Sequence, residues 1–196
     1  MSVVISMLLY SFSMSASPGP VNLITLSSGV NNGFRETMPF VSGATIGFIV
    51  LLLGIGLGLS TITDLYPNLL NTFKYLGSGF VAYMGLSLFR SGAMLGAGKQ
   101  SQPTFMQGAL LQWLNPKAWV ACLAGVSAFN ASESMQQLIL FSGIYFVICY
   151  LSIALWAFSG HQIQGLLKKP SFYQMFNRLM GSILILVACW LLIFDQ

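Results

Sequence analysis

The sequence predicts an all-α, polytopic membrane protein of six transmembrane helices, arranged as two inverted three-helix repeats with helices 1 and 4 broken. Three observations lead there. Hydrophobic residues make up 56% of the 196 positions and charged residues only 6%, against about 25% charged in a soluble domain. Six apolar stretches each reach the ~20 residues that a hydrocarbon core requires. The first and fourth stretches carry proline in their middles, where a continuous helix loses a backbone donor and clashes with the preceding turn. Eight basic and four acidic residues cannot cover the surface of a soluble protein of this length, and no basic run points to nucleic acid.

The expected spans are 3–30, 38–60, 68–89, 104–128, 135–159 and 173–194. Span one lacks the basic n-region and clean cleavage pattern of a signal peptide, so it reads as a retained helix. Span two is glycine-rich. Gly43 and Gly47, and Gly54 and Gly58, are spaced four apart, which lets helix backbones approach closely; a hinge is the other reading. Gly77, Gly79 and Gly85 place a similar stripe on span three. Cys122, Cys149 and Cys189 are scattered through apolar runs and read as packing residues rather than a disulfide framework. His161 reads as a solvated residue at a helix end, and no metal site or cofactor is expected.

Orientation follows from the basic residues. Arg35, Arg90, Lys99, Lys168 and Lys169 fall in or beside the first, third and fifth connections, with Arg178 just beyond. Asp64, Glu133 and Asp195 mark the other side, with Lys74 as the one basic exception. Lysine and arginine accumulate on the cytoplasmic side, so both termini are expected to face the periplasm or cell exterior. The chain reads as one transporter domain, with repeat one over about 1–98 and repeat two over about 99–196. Each half opens with a proline-broken span and has three spans. Three is odd, so the second half enters the membrane upside down relative to the first, and corresponding breaks in inverted repeats point to a transporter's binding site.

The breaks are Ser17-Pro18-Gly19-Pro20-Val21-Asn22 and Gln112-Trp113-Leu114-Asn115-Pro116-Lys117. Serine and asparagine are good N-caps and proline suits the first helical turn, so Ser17-Pro18 and Asn115-Pro116 each read as a cap followed by a helix start. Two half-helix N-termini, each carrying about +0.5 charge, would converge near mid-membrane as an anion site suited to a carboxylate. Lys117 lies at the centre of span four with no acidic neighbour in sequence. Its insertion costs about 2.5–3.5 kcal/mol, which marks it as functional rather than snorkelling: a carboxylate partner or a proton-sensitive group. Asn22 and Gln112 add neutral polar groups that either hold a substrate's ammonium or tie helices together. The substrate-binding residues expected are therefore Ser17, Pro18, Gly19, Pro20, Asn22, Gln112, Asn115, Pro116 and Lys117. No serine–histidine pair, paired membrane aspartates or phosphate loop supports an enzyme. The leading reading is secondary transport of a zwitterion. The alternative is a passive small-solute channel, and a non-transporting assembly subunit is a third reading.

Ser17-Pro18-Gly19-Pro20-Val21-Asn22, followed by Leu26-Ser27-Ser28-Gly29 and Asn32-Gly33-Phe34-Arg35, resembles the signature opening of the LysE/RhtB family of amino-acid exporters. Gly43 through Phe48 fits that family's second span, and Leu114-Asn115-Pro116-Lys117 resembles its fourth-span motif. Gly33-Phe34-Arg35 and Gly43 are most similar to the cysteine/O-acetylserine exporter branch. Val21 departs from the family, many members of which carry a second asparagine there; this bears on substrate preference. The resemblance implies an inner-membrane, proton-driven exporter of small neutral amino acids or derivatives, embedded in lipid, in a family that often works as a homodimer.

Overall fold

The computed structural model describes residues 3–59, 67–90, 103–165 and 170–193, and every regular element among them is helical. In chain order these are α1 (Val3–Ala16), α2 (Pro20–Asn32), α3 (Phe34–Gly54), α4 (Pro67–Phe89), α5 (Phe105–Trp113), α6 (Pro116–Ala128), α7 (Met135–Gln164) and α8 (Pro170–Ile193). Helix therefore falls on all six predicted stretches, and the first and fourth are each divided in two. Among the described residues three helical segments are long and apolar enough to cross a membrane unaided: Phe34–Gly58, Met135–Gln164 and Ser171–Trp190. Their outward faces carry the apolar side chains that lipid requires. On α7, Val147, Leu151, Leu155 and Phe158 recur at three- and four-residue spacing and are all exposed, which places them on one stripe.

Local signals explain the helix ends. Ser134 caps α7, accepting from the Gln137 amide. Thr104 and Gln107 form a reciprocal capping box at the start of α5. Gly33, with φ +96°, is the whole connection between α2 and α3, and its positive φ favours glycine. Arg35 thus belongs to the first turn of α3 and not to a loop. The helix of α7 runs to Gln164, so His161 lies in its last turn. The second, third and fifth connections and the C-terminus are only partly described: Asp64, Lys99, Lys168, Lys169 and Asp195, used above for orientation, lie outside the described residues.

α3 and α7 run through the centre. α3 packs on α5 and α7; α7 packs also on α1 and α2; α4 and α8 pair with each other. Small residues allow these approaches. Gly43 and Gly47 of α3 face the backbone of Phe105 and Ala109 on α5, while Gly108 of α5 faces Phe40 and Ala44. Gly29 of α2 meets Ala157 of α7, and Gly160 meets Leu26 and Val30. Gly85 and Gly181 meet where α4 crosses α8. The second predicted pair differs: Gly58 has φ +114° and open space around its missing side chain. It ends the helix in a conformation that favours glycine instead of packing a neighbour.

A side chain at Gly43 has nowhere to go, because the obstruction is the Phe105 backbone. Gly43→Val is expected to destabilise the fold by about 3 kcal/mol, the upper end for overpacking, whereas Gly79→Ala, with nothing near its Cβ position, should shift stability by no more than about 0.5 kcal/mol. Thermal unfolding of the two purified variants checks this. Equal stabilities would contradict the packing described.

Candidate functional site

A helix that stops inside a membrane leaves its last carbonyls without partners. At the end of α1 three side chains take that role, two of them from distant parts of the chain. Trp156 Nε1 of α7 donates to the Ala16 carbonyl at 3.2 Å. Asn22 Nδ2 of α2 donates to Ser15 O at 2.8 Å and to Ser17 O at 2.9 Å. Lys117 Nζ of α6 donates to Ser17 O at 2.9 Å and to Ser17 Oγ at 2.8 Å. An ammonium here also complements the negative end of the α1 dipole. Ser17 Oγ in turn donates to Met14 O at 3.1 Å.

This arrangement corrects the first cap. Ser17 finishes α1 and does not start α2. Pro18 lies between the helices, and α2 begins at Pro20, with Gly19 in extended backbone as a cap that offers no side chain. The physical reason is competition: the carbonyl and hydroxyl of Ser17 are drawn to Lys117 and Met14. Gly19 then stands beside the ammonium, since a Cβ there would lie 3.3 Å from Lys117 Nζ. The second break follows the predicted form. Asn115 is the N-cap of α6, its side chain accepting from the Lys117 amide at 3.2 Å, and Pro116 opens the first turn. α4 closes over this break, with Gly77 against the Leu114 carbonyl.

Between the breaks lies a small cavity of about 40 Å³. Gly19, Asn22, Gln112, Asn115 and Lys117 line it; Ser17 touches it through Lys117, and Pro18, Pro20 and Pro116 shape the backbone around it without lining it. Lys117 is the one charged residue on its walls among the described residues. Sequence reasoning missed Ser15, Phe48, Tyr145 and Cys149, which also line it. Tyr145 stacks on Phe48 with ring centroids 4.3 Å apart. Their signal was present in α7: Ser142, Tyr145, Cys149 and Ser152 recur at three- and four-residue spacing, and all are buried, so they make a mildly polar stripe on one helix face. Cys149, read above as packing, lies on this stripe.

Toward the N-terminal end of α1 the cavity is closed by aromatic rings. Tyr10 packs edge-on to Phe129 at 5.7 Å, and Phe141 packs against Tyr145 at 5.6 Å. The Tyr10 hydroxyl donates to the Ala121 carbonyl of α6 at 2.8 Å, joining the two halves of the chain. Among the described residues no group of three histidine, cysteine or acidic side chains could hold a metal ion.

The sequence profile of LysE type translocators matches residues 12–194. The chain belongs to the LysE-type translocator family. The match begins inside α1, so both breaks and the cavity between them fall within the LysE-type region. Curated relatives are more distant. A cysteine/O-acetylserine efflux protein of Escherichia coli strain K12 is 25% identical over 166 residues, covering 82% of this chain and 83% of the relative. The proteins of the same name from Shigella flexneri serotype 5b and from E. coli O139:H28 are 25% and 24% identical over the same length. No solved structure matches the chain.

Proposed function

We propose that this LysE-type protein is a secondary exporter of small neutral amino acids or their derivatives, in the class of cysteine and O-acetylserine, across a bacterial inner membrane. The observation that carries the reading is the Lys117 contact with Ser17. A cation supplied by one half of the chain holds the broken helix of the other at 2.8 and 2.9 Å, on the wall of a small polar cavity that widens when the two halves separate. A substrate carboxylate competes with Ser17 for the ammonium. Asn22, Gln112 and Asn115 supply neutral donors and acceptors for the rest of the substrate. Binding thereby loosens the link between the halves, which is what a ligand must do to shift a two-state equilibrium: interact differently with the two states.

Alternating access is the mechanism of this proposal, with repeats of about 1–98 and 99–196 rocking around the cavity. The packing supports it. α3 pairs with α7 and α4 with α8, each pair joining equivalent helices of the two halves, while α1 and α2 lie on α7 of the other half and α5 lies on α3. The names of the relatives supply the substrate class and outward direction, and proton coupling belongs to the same proposal. Both termini are assigned to the periplasmic side by the basic residues of the connections.

The test uses cells overproducing the protein and fed dipeptides to raise internal amino-acid pools. Release of one or a few neutral amino acids into the medium, sensitive to dissipation of the proton gradient, is the expected result. Unselective, non-saturating release would identify a passive channel, and release no greater than from cells without the protein would overturn the export reading.

A further inference from the structure

A second polar cavity, of about 140 Å³, lies along the C-terminal half of α2, against α4 and the start of α5. Ser27, Ser28, Asn31 and Asn32 line it from α2 and Gln107 from α5; among the described residues no charged side chain does. Two oxygens on its α2 wall lack partners and are closed off from open space in this conformation. Ser27 is 3% exposed, and neither its Oγ nor Asn31 Oδ1 has a hydrogen-bond partner. The Asn31 amide is nonetheless fixed, because its Nδ2 donates to Ser27 O at 2.7 Å and to Asn177 Oδ1 at 3.2 Å. Buried polar atoms without partners cost about 1–3 kcal/mol each and need an explanation in a folded protein. Here two oxygens four residues apart on one helix lie on the same face; a side-chain rotation that turns them to the chamber gives an ammonium two acceptors.

The chamber adjoins the central cavity. On α2, Val21 lines the cavity and Ile24 lines the chamber, three residues apart and so on neighbouring turns of one face. On α5, Gln112 lines the first and Gln107 the second. The chamber also lies at the α2–α3 connection, on the side opposite the aromatic closure around Tyr10.

We propose that this chamber is a second binding site, for small zwitterions without net charge, which dock their ammonium on Ser27 and Asn31 before reaching Lys117. The inference rests on the export reading for its substrate class, but the site itself does not involve Lys117.

The experiment uses the full chain in lipid nanodiscs with Cys189→Ser, leaving the two buried cysteines Cys122 and Cys149, and with Asn32→Cys as a reporter for a water-soluble maleimide. O-acetyl-L-serine is the probe and L-lysine the charged control. At about four times its Kd the probe should slow labelling about fivefold, because only the empty fraction reacts, while L-lysine should leave the rate nearly unchanged. Protection should persist with Lys117→Met and be lost with Ser27→Val; if that variant fails to fold, Ser27→Ala serves. Protection lost with Lys117→Met would overturn the proposal, since the probe would then occupy only the central cavity. Absence of protection in the reporter protein would overturn it too. If that protein still exchanges O-acetyl-L-serine in proteoliposomes, the export reading stands without a second site. Protection without any exchange would keep the chamber and remove the export reading.

Discussion

Lys117→Met should abolish export while the protein remains folded in the membrane. The substitution keeps an unbranched side chain of similar length and removes the one charge on the cavity wall among the described residues. A hydrogen bond to a charged group contributes up to about 3 kcal/mol, so loss of one such contact to a substrate carboxylate corresponds to a fall in rate of up to about a hundredfold at subsaturating substrate. The fold survives because the Ser17 carbonyl keeps its second donor, Asn22 Nδ2 at 2.9 Å. Amino-acid release and the amount of monodisperse protein after detergent extraction are the two measurements. Wild-type release from a well-expressed variant would refute the assignment of Lys117. Lys117→Arg is expected to rescue only in part. It restores the charge, but its planar fork needs more room than Gly19 leaves beside the ammonium.

Asn22→Leu is expected to affect both stability and transport. Asn22 is buried, and one amide group holds two carbonyls of the broken helix. Leucine leaves Ser15 O without that donor, while Lys117 still reaches Ser17 O. One orphaned buried carbonyl costs about 2 kcal/mol, which lowers Tm by about 4–8 °C at this chain length. Transport should fall with it, because α1 no longer ends at a defined place. Asn22→Asp separates the two effects. Its carboxylate cannot donate to the Ser15 and Ser17 carbonyls but lies beside Lys117 on the same cavity wall and can pair with it, so whatever stability returns comes from that ion pair while export stays absent. Recovery of export by Asn22→Asp would show that the Lys117 charge need not be available to substrate.

These two residues also show how far the sequence could be read. The breaks, the capped start of α6 and the unusual depth of Lys117 were legible because each is a local property. Proline lacks a donor wherever it sits, asparagine caps the turn that follows it, and a lysine amid apolar residues is visible by count. The same logic placed the apolar stretches and the family resemblance. It failed at Ser17-Pro18, where local preference favoured a helix start. The outcome depended on a lysine one hundred residues away.

What the sequence alone determined, then, is the all-helical, membrane-embedded character of the chain, the two interruptions and the chemical inventory near them, since hydropathy and backbone chemistry act over a few residues. Tertiary structure decided which groups satisfy the ends of the broken helices and which faces line the space between them. Trp156, Tyr145 and Cys149 look like ordinary members of an apolar helix until α7 is laid against α1 and α3. In a medium without water every exposed carbonyl must find a donor in the protein, and the donor nearest in space is selected by helix packing, not by nearness along the chain.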